Sequence, residues 1–240
     1  MKKLILVAVV LCISLDVSAQ AFDGIYGNRQ FTNDLYQMDE YIKRQKSGID
    51  FSDTSSYTGT PYNNPSYLNG NVYKNDELWA TNVGLRYNAM ADEIEIKETL
   101  ATPDGEAKVL TKSPDVYVKI LNDIYIFAPY KGGIEGGGYF HVLFEGDKIG
   151  LFKKPKKSFT KAKKASTSIT RDMPANFKDK PVYYIVDKDG KFFELPSSRS
   201  KKLKVFGKNK DAIKSYVREK ALDLNEERDL IRVIKHFDTF

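Results

Sequence analysis

Glu93-Ile94-Glu95-Ile96-Lys97 is the stretch on which the fold turns. Charge and isoleucine alternate strictly along it, the period of a half-buried β-strand and not of a helix. The alternation assigns Ile94 and Ile96 to a core face and turns Glu93, Glu95 and Lys97 away from it. Upstream, Asn71-Val72-Tyr73-Lys74 reads as a strand and Asn75-Asp76-Glu77 as a turn. Two further extended runs follow, Leu78 to Val83 and Leu85 to Asn88. Downstream, Val116 to Ile120 and Ile124 to Phe127 are rich in β-branched and aromatic residues. Tyr139 to Glu145 and Ile149 to Lys153 form a hairpin around Gly146-Asp147-Lys148. Val182 to Val186 and Lys191 to Leu195 flank Asp187-Lys188-Asp189-Gly190, where Asp-Gly is a strong hairpin signal.

Many short strands with turns between them imply a mainly β chain, an antiparallel sandwich, roll or barrel-like sheet. No strand-helix-strand alternation appears, which argues against a parallel α/β fold. The last stretch changes period. Ile213, Tyr216 and Val217 share one helical face, and Leu230, Ile231, Ile234 and Phe237 share another. Asn225, Glu226 and Glu227 make a helix start. A small C-terminal helical hairpin, joined near Leu222-Asp223-Leu224, is therefore expected.

The opposite end speaks to location. Met1-Lys2-Lys3 is basic, Leu4 to Leu15 is apolar apart from Ser14, and Val17-Ser18-Ala19 offers small residues to a signal peptidase. That pattern is a secretory signal peptide, with the mature chain expected from about Gln20 in the periplasm or outside the cell. Cys12 is the only cysteine, and Leu11 before it does not fit a lipobox. The mature chain is thus expected to lack disulfides and thiol chemistry. No later run reaches the roughly 20 apolar residues of a membrane helix. Too few segments of about ten residues carry an apolar outer face for a membrane barrel. The chain as a whole carries a net charge of +6, and cleavage would remove Lys2, Lys3 and Asp16. That surplus favours acidic partners weakly and identifies none.

These readings divide the chain into a signal peptide (1–19), an N-terminal arm or short helix with a linker (20–60) and an antiparallel β domain (61–153). A lysine-rich linker (154–180), a β-hairpin (181–207) and the C-terminal helices (208–240) follow. The short helix rests on Phe31, Leu35, Met38, Tyr41 and Ile42.

Pro65-Ser66-Tyr67-Leu68-Asn69, Gly70-Asn71-Val72-Tyr73, Leu85-Arg86-Tyr87-Asn88 and Asp92-Glu93-Ile94-Glu95 look like one recurrent core. With the tail residues Lys210-Asp211 and Asn225 to Leu230, this core resembles a group of exported proteins of the Bacteroidota that carry no assigned activity. The resemblance runs from about Tyr62 to the end; it implies an envelope location and adds nothing about chemistry.

Candidate sites are few. Arg86, Tyr87 and Asn88, with Asp92, Glu93 and Glu95, form the densest polar group. Such carboxylates could bind a cation or act as acid and base. The plainer reading is a solvated strand face, or Arg86 pairing with a carboxylate across the sheet. His141 and His236 have no partner histidine at ligand spacing, so packing or surface roles are expected. Gly132 to Gly138 lacks the Gly-Lys-Ser/Thr ending of a phosphate loop and precedes a strand, which makes it a hairpin tip. Lys153 to Lys164 holds seven lysines, with no acid between Asp147 and Asp172. Lys153, Lys154, Lys156 and Lys157 could meet a polyanion or an anionic membrane surface, the plainer reading being a solvated linker. No Gly-x-Ser-x-Gly elbow is present. No catalytic residue, metal ligand or cofactor is assigned. The expected function is an exported, non-enzymatic cell-envelope protein that binds another macromolecule through a protein or envelope partner. A polyanion or membrane-surface binder and a carboxylate hydrolase are the alternatives.

Overall fold

The computed structural model describes residues 57–129, 137–165, 167 and 171–240. The signal peptide, the helix expected at Phe31 to Ile42 and most of the glycine-rich run lie outside the described residues.

Asn75 and Asp76 both take positive φ, 51° and 65°, as a two-residue type I′ hairpin requires. They join β2 (Leu68–Lys74) to β3 (Glu77–Asn88). β3 is continuous where two short strands were expected. Its break is a bulge opposite Asn71, whose Oδ1 accepts the Thr81 hydroxyl and the Asn82 N–H. β4 (Glu93–Lys97) and β5 (Lys108–Val109) extend this meander to one edge. A second meander runs through β6 (Val116–Ile120), β7 (Asp123–Ala128), β8 (Gly138–Glu145) and β9 (Ile149–Lys154). β12 (Val182–Asp187) and β13 (Phe192–Glu194) close the other edge through the Asp189-Gly190 turn, Gly190 lying at φ 72°. All ten strands form one antiparallel sheet in the order β13-β12-β9-β8-β7-β6-β2-β3-β4-β5. Although first in chain order, β2 lies in its interior between β6 and β3.

The sheet does not close; β13 and β5 are its edges. It bends twice instead. The Tyr87 ring on β3 lies 5.5 Å from Tyr125 on β7 and 6.3 Å from Tyr139 on β8, although β2 and β6 stand between. This half coils around its inner face, burying Val72, Leu85, Ile94, Ile96 and Val118. The next residue of β8, Phe140, points to the outer face. Its ring lies 4.8 Å from Phe192 on β13, across β9 and β12. The second half therefore curls the other way, around an outer aromatic core of Phe140, Phe152, Tyr184 and Phe192.

Helices cover the inner face of this second half. They are α1 (Arg199–Val205), α2 (Lys210–Glu219) and α3 (Glu227–Asp238). Ile213, Val217, Leu230 and Ile234 pack with Leu151 and Ile185 of the sheet. α2 and α3 are the expected pair. α1 is an addition, in a segment read as part of a hairpin. A second correction concerns 154–180, read as a linker. It holds β10 (Lys157–Thr160) and β11 (Ala175–Asp179), which with β1 (Tyr57–Thr58) form a three-stranded sheet. Phe159 and Tyr57 pack on Phe177 there, enough apolar surface to hold strands in a lysine-rich context. No helix among the described residues is long and apolar enough to cross a membrane.

Candidate functional site

Arg86 and Tyr87 are neighbours in β3 and so project to opposite faces of the sheet. The group that looked continuous in sequence is thereby split. On the outer face, Arg86 stands in register with Glu95 and donates to its Oε2 from Nε (3.1 Å) and Nη2 (2.7 Å). Nη1 donates to the Pro65 carbonyl at 3.1 Å. The guanidinium lies over the rings of Tyr62 and Tyr67, 3.6 and 4.0 Å from their centroids. Tyr67 donates its hydroxyl to the same Glu95 oxygen at 2.7 Å, and burial followed by that carboxylate pushes its pKa far up. Asn88 turns its amide toward Glu95 Oε1 at 3.4 Å while its Oδ1 accepts the N–H groups of Met90 and Ala91. This is the cross-sheet ion pair the sequence allowed, Nη2 donating also to the Tyr67 hydroxyl at 3.2 Å.

Lys97 takes the face that the alternation assigns to it, away from the inner core. It is 5% exposed, not solvated. Its Nζ donates to Asp104 Oδ1 at 2.8 Å and to the Leu100 carbonyl at 3.3 Å, and it lies over the Tyr67 ring. A long stem and three donors let lysine lie buried where a loop folds over the strand face.

Tyr87 belongs to a different cluster. Its hydroxyl donates to Asp92 Oδ1 at 2.6 Å, and the Tyr139 N–H reaches the same oxygen at 3.1 Å. Lys154 donates to Asp92 Oδ2 at 2.9 Å. Burial holds the Lys154 ammonium below the ordinary lysine range, and the carboxylate pulls against it. Asp92 sits in the β3–β4 turn with φ 57°. It meets β8 at Gly138, where an added Cβ would strike both Lys154 Nζ and the Asp92 carboxylate. The carboxylates of the hydrolase alternative are thus divided: Glu95 serves Arg86 and Asp92 serves Tyr87 and Lys154, while Glu93 shares the outer face with Glu95 and has its pKa raised, by burial first.

A third cluster runs across the inner face in register, Tyr125 on β7, His141 on β8, Lys153 on β9 and Tyr183 on β12. His141 stacks on Tyr125 at 5.0 Å and lies 3.3 Å from Asp123 through Nε2. Burial lowers its pKa more than Asp123 raises it, which favours the neutral imidazole. Glu227, at the start of α3, takes Lys153 Nζ at 2.8 Å and the Tyr183 hydroxyl at 2.9 Å. The row joins the two apolar cores of this face. Lys157 pairs with Asp179 at 2.6 Å, and Lys156 is exposed. Three of the four lysines assigned to a polyanion are therefore neutralised by carboxylates within the chain. No three His, Cys, Asp or Glu side chains among the described residues are grouped to hold a metal ion.

The outer face holds what sequence reasoning missed. Leu78, Tyr73, Tyr117 and Ile126 stand side by side in register on β3, β2, β6 and β7. Tyr73 and Tyr117 stack at 4.8 Å with planes 6° apart. Leu78 is 57% exposed, and Ile124, on the same face, 37%. Beyond Ile126 the row opens into a groove of about 460 Å³. Ile126, Ala128, Pro129, Phe152, Val186 and Phe192 are among its apolar lining. Its far end is charged, with Glu145, Lys148, Asp187 and Lys188. The signal for this face was present in Ile124-Tyr125-Ile126-Phe127, apolar at every position. Such a strand has two apolar faces to cover; here the inner one is covered, while on the outer one Ile126 packs against the aromatic core and Ile124 stays exposed.

Compared with known proteins, the chain matches no family model, no curated protein and no solved structure.

Proposed function

We propose that this is an exported, non-enzymatic cell-envelope protein that acts by binding another macromolecule, and that the outer face of the large sheet is the binding surface. The observation that carries the reading is the row Leu78-Tyr73-Tyr117-Ile126, exposed at Leu78 and half-buried along the rest, with exposed Ile124 beside it. Contiguous apolar patches on a folded surface mark interaction sites, whereas scattered apolar residues do not. Aromatic side chains supply most of the energy at such patches. The polar clusters support the same reading from the other side. Arg86 is spent on Glu95, and Asp92 on Tyr87 and Lys154, which suits a scaffold more than a proton-transfer site. Export rests on the residues preceding Gln20 and on the resemblance to envelope proteins.

The test places a photo-crosslinking residue at Leu78, Tyr117 or, as a control on the helical side, Arg218, in cells that make the protein. Adducts of one discrete mass from Leu78 and Tyr117 but not from Arg218, in the envelope fraction, are expected. Adducts equally from all three positions, from none of them, or only in the cytoplasmic fraction would defeat the proposal.

A further inference from the structure

We propose that α1 and α2 form a basic face that seats the protein on an anionic phospholipid bilayer. The inference goes beyond the macromolecular binding proposed above and takes from it only the envelope location.

Charge singles the face out. Arg199 to Lys220 hold nine basic residues against two acids, Asp211 and Glu219. That segment alone carries +7 where the whole chain carries +6, so the rest of the chain is close to neutral. The surplus stops with α2: Asp223 to Asp238 hold five acids and three basic residues. The helical layer is therefore polarised, basic along α1 and α2 and mildly acidic along α3.

Packing decides which of these charges meet water. Phe206, Ile213 and Val217 bury one side of the layer in the core beneath it. Lys202 turns inward to the Leu224 carbonyl at 2.8 Å and Asn225 Oδ1 at 3.1 Å, and Lys220 pairs with Glu219 at 2.8 Å. Arg199, Lys201, Lys204, Lys208, Lys214 and Arg218 are exposed, and their charged groups form no ion pair or hydrogen bond among the described residues. Lys153, Lys154 and Lys157 differ in this respect, each facing a carboxylate of the chain. A face of one sign is a standing repulsion that a surface of the opposite sign relieves.

Two features favour a bilayer over a nucleic acid. Four of the six exposed groups are lysines, compact point charges, whereas nucleic-acid recognition draws on the arginine fork. No aromatic face between Arg199 and Lys220 is free to stack on a base, since Phe206 is buried and Tyr216 already stacks on His236 at 3.9 Å. The apolar stripes of both helices are committed to the core, so attachment rests on headgroup attraction without insertion and must be sensitive to salt. The helices and the Leu78 row lie on opposite faces of the sheet, so a seated molecule keeps that row free.

The experiment sediments the full chain with vesicles of phosphatidylglycerol and phosphatidylcholine in equal parts, or of phosphatidylcholine alone, at rising salt. Binding to the anionic vesicles at low salt is expected, lost as the Debye length shrinks, with the neutral vesicles at least tenfold weaker. Each basic side chain near such a surface is worth about fivefold in affinity, so the triple variant Lys204→Gln, Lys208→Gln, Lys214→Gln should bind about a hundredfold more weakly. A second variant removes the same charge from the lysine run, at Lys161→Gln, Lys163→Gln and Lys164→Gln, and should stay within about threefold of the wild type. All these positions are exposed, and far-UV circular dichroism checks the fold. If the helical triple variant does not fold, Lys214→Glu alone should still weaken binding at least tenfold. The proposal fails if the two triple variants bind alike, or if neutral vesicles bind as well as anionic ones. It fails equally if a short DNA duplex binds more tightly than the vesicles at the same salt and is lost in the helical variant, which would assign the face to nucleic acid. None of these outcomes bears on crosslinks from Leu78. Lipid at Arg218 gives no protein adduct, so that position remains a valid control there.

Discussion

At the residue scale, two positions make the energetics measurable. Ile94 has no exposed surface, as the alternation at 93–97 demands. Ile94→Ala should cost about 2–5 kcal/mol, read as a lower urea midpoint at unchanged slope. An unchanged midpoint would contradict its place in the core. Asp92 and Lys154 form a mostly buried pair, with side-chain exposures of 24% and 9%. Removing one partner strands the other, so Lys154→Met or Asp92→Asn alone should cost roughly 3 kcal/mol. The double variant should recover part of that loss, because replacing both ends of a buried pair is often tolerated. Strict additivity in the double-mutant cycle would show that the pair does not couple. At this scale the sequence told which residues were polar neighbours but not which shared a face. Arg86-Tyr87-Asn88 is one motif in the chain and two sites in space, because a strand reverses direction at every residue. Lys97 shows the converse limit: alternation marks which face a side chain takes, not whether a loop later covers it.

At the scale of elements, α3 is pinned at its end. Asp238 accepts the N–H groups of Asp147, Lys148 and Ile149 at 2.8–2.9 Å, filling the β8–β9 turn. Burial acts to raise the pKa of this carboxyl, but the three backbone donors outweigh it and hold it below its ordinary 3.8. The folded pKa is depressed, so the stabilisation is complete above the ordinary value. It declines as the pH falls below 3.8 and is gone once the pH has passed through the lower folded value. Asp238→Ala should cost on the order of 1 kcal/mol at neutral pH, discounted for solvent screening, and should lose its difference from the wild type at acid pH. Chemical denaturation at pH 7 and at successively lower pH checks both; a difference that does not shrink as the pH falls below 3.8 would refute the assignment. Turns, alternating strands and the α2–α3 pair were legible because each announces itself locally, by Asn-Asp, Asp-Gly or an apolar stripe. β10 and β11 were not. Lys157-Ser158-Phe159-Thr160 carries one aromatic among polar residues, and its partner strand begins at Ala175. α1 escaped for a similar reason: its buried Lys202 is held by the Leu224 carbonyl at 2.8 Å, a contact with a distant loop.

At the scale of the whole molecule, the double bend joins what the sequence presented as separate units. The 61–153 and 181–207 segments share one sheet through the β9–β12 pairing. The Asp92–Lys154 pair and the Tyr125-His141-Lys153-Tyr183 row cross between its halves. Unfolding should therefore be one transition. Trp79, the sole tryptophan, reports on the β2–β3 half, and far-UV circular dichroism on the helices packed over the other. Coincident urea curves from the two probes are expected, and separated midpoints would show two independent units. The curvature itself was not legible, because it depends on rings brought together across intervening strands.

The interior position of β2 has a consequence for the order in which the chain becomes available. The β2–β5 meander ends at Val109, 11 residues before the last residue of β6, Ile120, leaves whatever channel delivers it. During that interval the flank of β2 that β6 will occupy is a bare ladder edge, with unpaired N–H and C=O groups from Gly70 to Lys74. A nascent chain in this state is a template for any strand that reaches it first, including the same strand of a neighbouring copy. The interior of the finished sheet is thus the exposed frontier of the unfinished one, and the chain is most open to mispairing before its second meander arrives.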